Sequence, residues 1–337
     1  MNPTIAIAGN LVADTVKRID RYPSPGMLSS ILSIGRSVGG SVPNMSVVIR
    51  KLDASQSVKG IGLTGNDENG RYLVDTMAEY GVDTTHVRPI DGVNTAFTDV
   101  MTVDATGERT FFHARGANAR FSYEHVPFDA LGDCSIFHIA YALLLDAMDA
   151  PDAEYGTVMA RTLAEASRRG LTTSMDVVSE EGDRFAAIVT PSLRHCDYLV
   201  VNEIESSRVC GIPARDDGGS LIEGNIPRIC RALLDAGVRR LVAIHAPEGG
   251  WAMGKDGSFC FRPSLSLPKG WVKGTVGAGD AFCAGFLYAT NRGETVERAL
   301  DLGAAAAACN LSHEGSIEGI RPLAEVERML VEMPRRV

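Results

Sequence analysis

The run Gly274-Thr275-Val276-Gly277-Ala278-Gly279-Asp280-Ala281-Phe282 sets three small residues directly before a carboxylate. The carboxylate in turn opens an apolar stretch, Cys283-Ala284-Gly285-Phe286-Leu287-Tyr288. This pattern predicts a helix whose first turn is residues 277–279 and which runs to about residue 290. A first helical turn carries free backbone N–H groups and the positive end of the dipole. Without bulky side chains those amides can close on a phosphate. Asp280 beside the anion can take a proton from an attacking hydroxyl. An anion cradle next to a base is the equipment of phosphoryl transfer. The same residues also fit a plain Gly-rich turn whose Asp only complements the dipole. Two rival motifs are excluded. No Gly-Lys-Ser/Thr follows, so this is not a Walker loop, and the third glycine of a dinucleotide fingerprint would fall on Phe282.

The elements that must position this loop alternate along the chain. Apolar runs at 4–8 and 58–63 read as buried strands, with a helix over 42–52 whose Val42, Met45, Val48, Ile49 and Leu52 follow helical spacing. A helix over 68–80 ends at Gly81. Residues 95–103 and 109–114 alternate and flank the turn 104–108, a hairpin pattern. Strands are then expected at 135–140, 171–177, 198–201 and 241–245, and helices at 153–169, 183–194, 223–236, 278–291 and 294–310. A further hairpin is expected over 251–261. Strand–helix alternation implies an α/β fold with a parallel sheet covered on both faces. No repeat or long linker divides the 337 residues, which read as a single domain.

Composition narrows the function. A net charge of −9 argues against a nucleic-acid partner. No apolar run reaches membrane-spanning length, and the start lacks a signal peptide's basic residues. The seven cysteines are widely spaced with no C-x-x-C, which reads as reduced thiols in a cytoplasmic protein. The histidines show no metal-ligand spacing, and the adjacent pair His195-Cys196 reads as structural.

Gly277-Ala278-Gly279-Asp280-Ala281-Phe282 resembles the C-terminal signature of the PfkB carbohydrate kinases, the ribokinase-like family. Four further segments resemble the family in order. They are Gly9-Asn10-Leu11-Val12-Ala13-Asp14, Gly39-Gly40-Ser41-Val42-Pro43-Asn44, residues 61–70 (a G-x-x-G-x-D-x-x-G stretch) and Asn202-Glu203-Ile204-Glu205 (N-x-x-E). The resemblance implies a three-layer α/β/α fold with a mostly parallel sheet. It also implies a small β-sheet lid made by segments near 12–20, 29–36 and 95–114. The implied activity is ATP-dependent phosphorylation of a hydroxyl, with a primary one expected, on a small sugar or sugar acid. A nucleoside kinase and a non-catalytic binding member are the alternatives, and the intact Asp280 and Glu205 speak against the latter.

Residue by residue, the resemblance makes Asp280 the base, with Gly277, Ala278 and Gly279 as amide donors to the transferring phosphoryl group. Asp14, Gly39, Gly40 and Asn44 would hold the sugar. Asn202, Ala246, Gly249 and Ala304 would face the nucleotide, and Glu205 would act on Mg²⁺ largely through water. Asp14 also suits a turn, Asn44 a helix start, and Asn202 with Glu205 a capping box. Lids of relatives pair edge to edge, which implies a homodimer. The sequence departs from the family at three places. Gly274 stands where relatives carry the Asp of a monovalent-cation site, so potassium activation is not expected, with the neighbouring Lys273 either supplying the charge or simply solvated. Residues 244–249 replace the Thr-x-Gly-x-x-Gly beneath the adenine, and Asp176-Val177-Val178-Ser179 keeps only the Asp of Asp-x-Asn-x-Arg. Arg109 and Arg115 are the cations near the lid.

Overall fold

The computed structural model describes residues 3–179 and 182–336. The chain opens with β1 (Thr4–Gly9) and crosses into a small sheet with β2 (Val12–Ile19) and β3 (Ile31–Gly39). It returns through α1 (Ser41–Leu52), β4 (Val58–Gly65), α2 (Glu68–Glu79) and β5 (Asp83–Ile90). A second excursion forms β6 (Phe97–Val103) and β7 (Arg109–Ala114). Next come β8 (Cys134–Ala142), the short α3 (Asp146–Asp149), and a two-residue ladder of β9 (Pro151–Asp152) with β10 (Gly156–Thr157). Then follow α4 (Val158–Arg168), β11 (Thr172–Val177), α5 (Phe185–Leu193), β12 (Tyr198–Asn202), α6 (Glu203–Cys210), α7 (Ile226–Asp235) and β13 (Leu241–Ala246). The chain closes with β14 (Gly249–Gly254), β15 (Phe259–Pro263), α8 (Ala278–Asn291), α9 (Val296–Asn310) and α10 (Leu323–Glu332).

The main sheet has nine strands in the order β15-β14-β13-β12-β11-β8-β1-β4-β5. It is parallel from β13 to β5, and β14 and β15 join antiparallel at one edge. Each face carries its own apolar core. One is built by α1, α2, α8, α9 and α10, with Val48, Leu73, Phe286, Leu300 and Val326 buried in it. The other lies under α4 to α7, with Leu163, Val189, Val209 and Leu233. The small sheet runs β3-β2-β6-β7, with β2 and β6 parallel.

The strand order reverses at β1. From there the chain proceeds through β4 and β5 on one side, and later through β8, β11, β12 and β13 on the other. A crevice opens where such a reversal separates the loops beyond the carboxyl ends of the strands. Here those ends are Gly9 of β1 and Ala140 of β8, which pair directly. The pairing is close enough to require glycine: Gly9 has φ +138°, and a Cβ there would meet the Ala140 carbonyl.

The expected elements are present with shifted ends. The helix expected from 153 begins at Val158, because 151–157 instead form the β9–β10 turn and Thr157 caps the helix through Ala160 N. Its polar start, Asp-Ala-Glu-Tyr-Gly, suits a turn better than a helix. The hairpin at 251–261 is β14–β15, but β13–β14 is antiparallel too. β5 and α10 have no counterpart among the expected elements. β5 is an edge strand with one buried residue, Val87, and Pro89 near its end, so it carries little hydrophobic signal.

α8 is held against α9 by two facing small positions. A Cβ on Gly285 would lie 2.6 Å from the Leu302 carbonyl oxygen, and one on Gly303 2.9 Å from that of Phe282. Gly285→Val is therefore expected to prise the helices apart and to cost about 2–3 kcal/mol. Urea unfolding checks this, with the midpoint falling while the slope stays constant. An unchanged midpoint would mean that the backbone can yield there.

Candidate active site

α8 starts from Gly277, which has φ 79°, a left-handed conformation that glycine adopts without strain. Gly279 lies exposed at the crevice, where a Cβ would meet nothing nearer than the His245 ring at 3.5 Å. In the first turn of the helix the Asp280 carboxylate points down into the protein and is almost wholly buried. Asn44 Nδ2 donates to its Oδ2 at 2.7 Å, and the Tyr141 hydroxyl donates to its Oδ1. Burial pushes the Asp280 carboxyl above the usual range, while these two bonds and the field of His138 pull it back. An ionised carboxylate in a dry site needs such donors.

A second polar group is built on the small sheet. Asp14, Thr98 and His113 lie opposite one another on β2, β6 and β7. Thr98 Oγ1 bonds His113 Nδ1 at 3.1 Å and also serves the Asp14 carboxylate. Burial raises Asp14 to about 6, opposed by the Thr98 bond and reinforced by the negative charge of Asp280. Gly39 must be glycine because a Cβ would fall 2.2 Å from Asp14 Oδ2. Gly40, at φ 81°, turns the chain into α1 and so delivers Asn44 to Asp280. Asn10 Oδ1 receives the Tyr141 amide at 3.1 Å and ties the end of β1 to that of β8. Arg115 donates to the Leu143 carbonyl at 3.1 Å and to Asp146 at 2.5 Å.

Two cavities meet at the start of α8. The smaller, about 230 Å³, is lined by Tyr141, Asp176, Ser179, Glu205 and Asp280 together with Gly277 and Gly279. The larger, about 650 Å³, is lined by Ala246, Pro247, Leu265, Val272, Ala304, Ala308 and Ala278, with Arg336 at its edge. Asn202, His245 and Gly279 line both. The alanines of α9 leave a flat apolar wall. Beside it the β13–β14 turn is anchored by Arg215, which pairs with Glu248 at 2.9 Å and Glu203 at 2.7 Å. Gly249 is the exception among the expected nucleotide residues. It is buried in the β14–β15 ladder, where a Cβ would meet the Phe261 ring, and it does not line the cavity.

Asn202 and Glu205 form the capping box that their spacing allows. Asn202 Oδ1 accepts from the Ile204 and Glu205 amides, and Glu205 Oε2 accepts from the Asn202 amide at 3.0 Å. Ser179 Oγ donates to Glu205 Oε1 at 2.7 Å. Burial still lifts Glu205 to about 8 against these bonds, with Asp176 and Glu203 adding repulsion.

The sequence profile of the pfkB family carbohydrate kinases matches residues 2–322. This chain belongs to the PfkB family of carbohydrate kinases. It is a phosphotransferase that acts on a sugar hydroxyl with ATP as donor. The kinase is 28% identical over 310 residues to an ATP-dependent ribose-1-phosphate kinase of Halopiger xanaduensis, covering 92% of each chain. It is 25% identical to a 2-dehydro-3-deoxygluconokinase of Thermoproteus tenax, covering 91% of this chain and 89% of that one. The fold is that of Arabidopsis thaliana ribokinase solved with ribose and ATP, with TM-score 0.82 and 21% identity over 98% of this chain and 99% of that one.

Tyr141, Thr98 and His113 escape sequence reasoning. Tyr141 ends an apolar strand and reads there as core. Thr98 and His113 read as parts of a hairpin, and only their cross-strand register brings them to Asp14. Tyr141→Phe removes one donor from Asp280 and should raise the pKa of its carboxyl. The acid limb of the kcat/KM profile is expected to move about one pH unit upward, the worth of a hydrogen bond to a charged group. A profile superimposable on wild type would show that Tyr141 only fills space.

Proposed function

We propose that the kinase transfers the γ-phosphate of ATP to a hydroxyl, the primary one, of a small sugar or sugar acid bound beneath the four-stranded sheet. The whole chain then acts as one catalytic unit with that sheet as its lid. The observation that carries this reading is the placement of Asp280. It lies between the Asp14–Thr98–His113 ladder and the two joined cavities, touching Asn44 on the first side and lining the smaller cavity on the second. The apolar wall of α9 suits an adenine, and the start of α8 suits the phosphates.

In this reading Asp14 and Asn44 orient the acceptor, and Asp280 takes the proton of the attacking hydroxyl while Tyr141 and Asn44 hold it in place. The amides at 277–279 receive the charge that develops on the transferring group. The small cavity also fits Mg²⁺. It offers oxygen donors from Asp176 and Glu205, Asp176 Oδ1 has no hydrogen-bond partner among the described residues, and no Lys or Arg lines it. Asp176 and Glu205 would hold the ion, Glu205 through water, and the ion would neutralise phosphate charge. Potassium is not required in this scheme. Gly274 packs under the carbonyls of His313 and Glu314 and offers no carboxylate, and Lys273 is exposed, as a solvated charge would be.

The decisive experiment is ATP consumption across a panel of ribose, ribose 1-phosphate, fructose, 2-keto-3-deoxy sugar acids and nucleosides, run with wild type and Asp280→Asn. At least one sugar should be turned over by wild type, and the variant should lose about 10³-fold or more in kcat with KM little changed. Near wild-type turnover in the variant would sink the mechanism, and turnover of nucleosides alone would move the acceptor class.

The lid reading includes a dimer. The small sheet and its loops expose Leu28, Ile31, Leu32, Ile34, Phe111 and Phe112, with Leu28 90% and Ile34 66% accessible. So many apolar side chains on one sheet indicate a covered surface. Light scattering should give a dimer for wild type, and Ile34→Asp should give a monomer with a raised sugar KM. A monomeric wild type would remove the dimer from the reading and leave the kinase intact.

A further inference from the structure

At the floor of the small cavity Asp176 meets two buried side chains, His138 and Cys283, that phosphoryl transfer does not use. His138 on β8, Asp176 on β11 and Cys283 on α8 present one imidazole nitrogen, one carboxylate oxygen and one sulfur, all within 4.8 Å of one another. His138 is fully buried and its Nε2 has no hydrogen-bond partner among the described residues; Asp176 Oδ1 likewise has none. The two side chains face each other with Nε2 3.8 Å from Asp176 Oδ2. On the far side of the ring, His138 Nδ1 lies 3.0 Å from Ser174 Oγ. With Ser174 accepting from Nδ1–H, the Nε2 lone pair points at Asp176. That is the arrangement of a metal-binding histidine, whose second nitrogen is fixed by a neighbouring acceptor.

We propose that His138 Nε2, Asp176 and Cys283 Sγ form a Zn²⁺ site at the floor of the cavity, distinct in chemistry from a Mg²⁺ site and inhibitory to the kinase. Zinc sits about 2.0–2.3 Å from nitrogen, oxygen and sulfur ligands, which puts tetrahedral ligand atoms roughly 3.4–3.8 Å apart. The group therefore has to contract by about an ångström. Imidazole and thiolate select Zn²⁺ over Mg²⁺, which favours oxygen. The fourth position opens into the cavity, since Asp176 and Cys283 both line it. Binding replaces the thiol proton: Cys–SH and Zn²⁺ give Cys–S–Zn and H⁺ to solvent. The bound ion takes Asp176 away from the nucleotide's metal and sets positive charge beside Asp280, whose field already reaches both His138 and Asp176.

The test does not depend on which sugar is phosphorylated. Co²⁺ replaces Zn²⁺ as a spectroscopic probe, because thiolate bound to Co²⁺ absorbs in the near ultraviolet. Wild type should develop that band to one equivalent of Co²⁺ and lose it on adding Zn²⁺. Cys283→Ala should show no band, and His138→Gln should bind about 100-fold more weakly. With excess Mg²⁺, Zn²⁺ should inhibit wild type but not Cys283→Ala, whose activity without zinc should match wild type. Circular dichroism of both variants checks that they fold. No band in wild type, or an equal band in Cys283→Ala, would overturn the site. Equal zinc inhibition of Cys283→Ala would assign the inhibition to another place and overturn the regulatory half.

Discussion

A carboxylate buried where the starts of α1 and α8 meet the end of β8 is the constraint on which this molecule depends. Asp280 can stay ionised there only because Asn44 and Tyr141 donate to its two oxygens. Each donor fixes a part of the fold. Asn44 requires α1 to begin at Gly40, and Gly40 turns where a Cβ would strike the Asn10 carbonyl. Tyr141 requires β8 to end beside β1, where Gly9 lets the Ala140 carbonyl approach. Asp280 itself requires α8 to lie close, which Gly285 and Gly303 allow. The glycines of the site thus serve distances between elements as much as ligands.

The same burial explains why neighbouring acids are displaced from their ordinary ranges. Asp14 rises to about 6 and Glu205 to about 8, in each case first through loss of water, with hydrogen bonds opposing it and neighbouring carboxylates (Asp280 for Asp14, Asp176 and Glu203 for Glu205) adding to it. The carboxyl groups that line the small cavity, Asp176, Glu205 and Asp280, have no lysine or arginine lining it with them among the described residues and form an unsatisfied electrostatic arrangement in the free protein. In the proposed reading, a cation arriving with the nucleotide would complete it.

How much of this was legible beforehand follows from the range of each interaction. The α8 start, the Asn202–Glu205 box and the Gly39-Gly40 turn are local, and the sequence displayed them by spacing alone. The alternation of strands and helices gave the layers and most of the sheet. The partners of Asp280 were only half visible, because Tyr141 is 139 positions away and carries no local mark. Thr98 and His113 depend on cross-strand register, which a hairpin pattern does not specify. Gly249 was misplaced for the converse reason: a glycine near a ligand loop suggests close approach to the ligand, whereas here the close neighbour is the Phe261 ring. The absence of ligand spacing among the histidines was likewise uninformative, since His138, Asp176 and Cys283 come from three separate elements.

In the proposed reading, the acceptor pocket and the nucleotide wall come from opposite halves of the chain. Asp14, Gly39, Asn44, Thr98 and His113 all precede residue 120, whereas Asn202, Ala246, Ala304 and Arg336 all follow residue 200. They are joined through Asp280 and the few residues around it. Mutation can therefore reshape one pocket while the other is inherited intact, which makes acceptor preference and donor preference separately evolvable traits. A scaffold divided in this way can diversify into many kinases without rebuilding its grip on the phosphate donor.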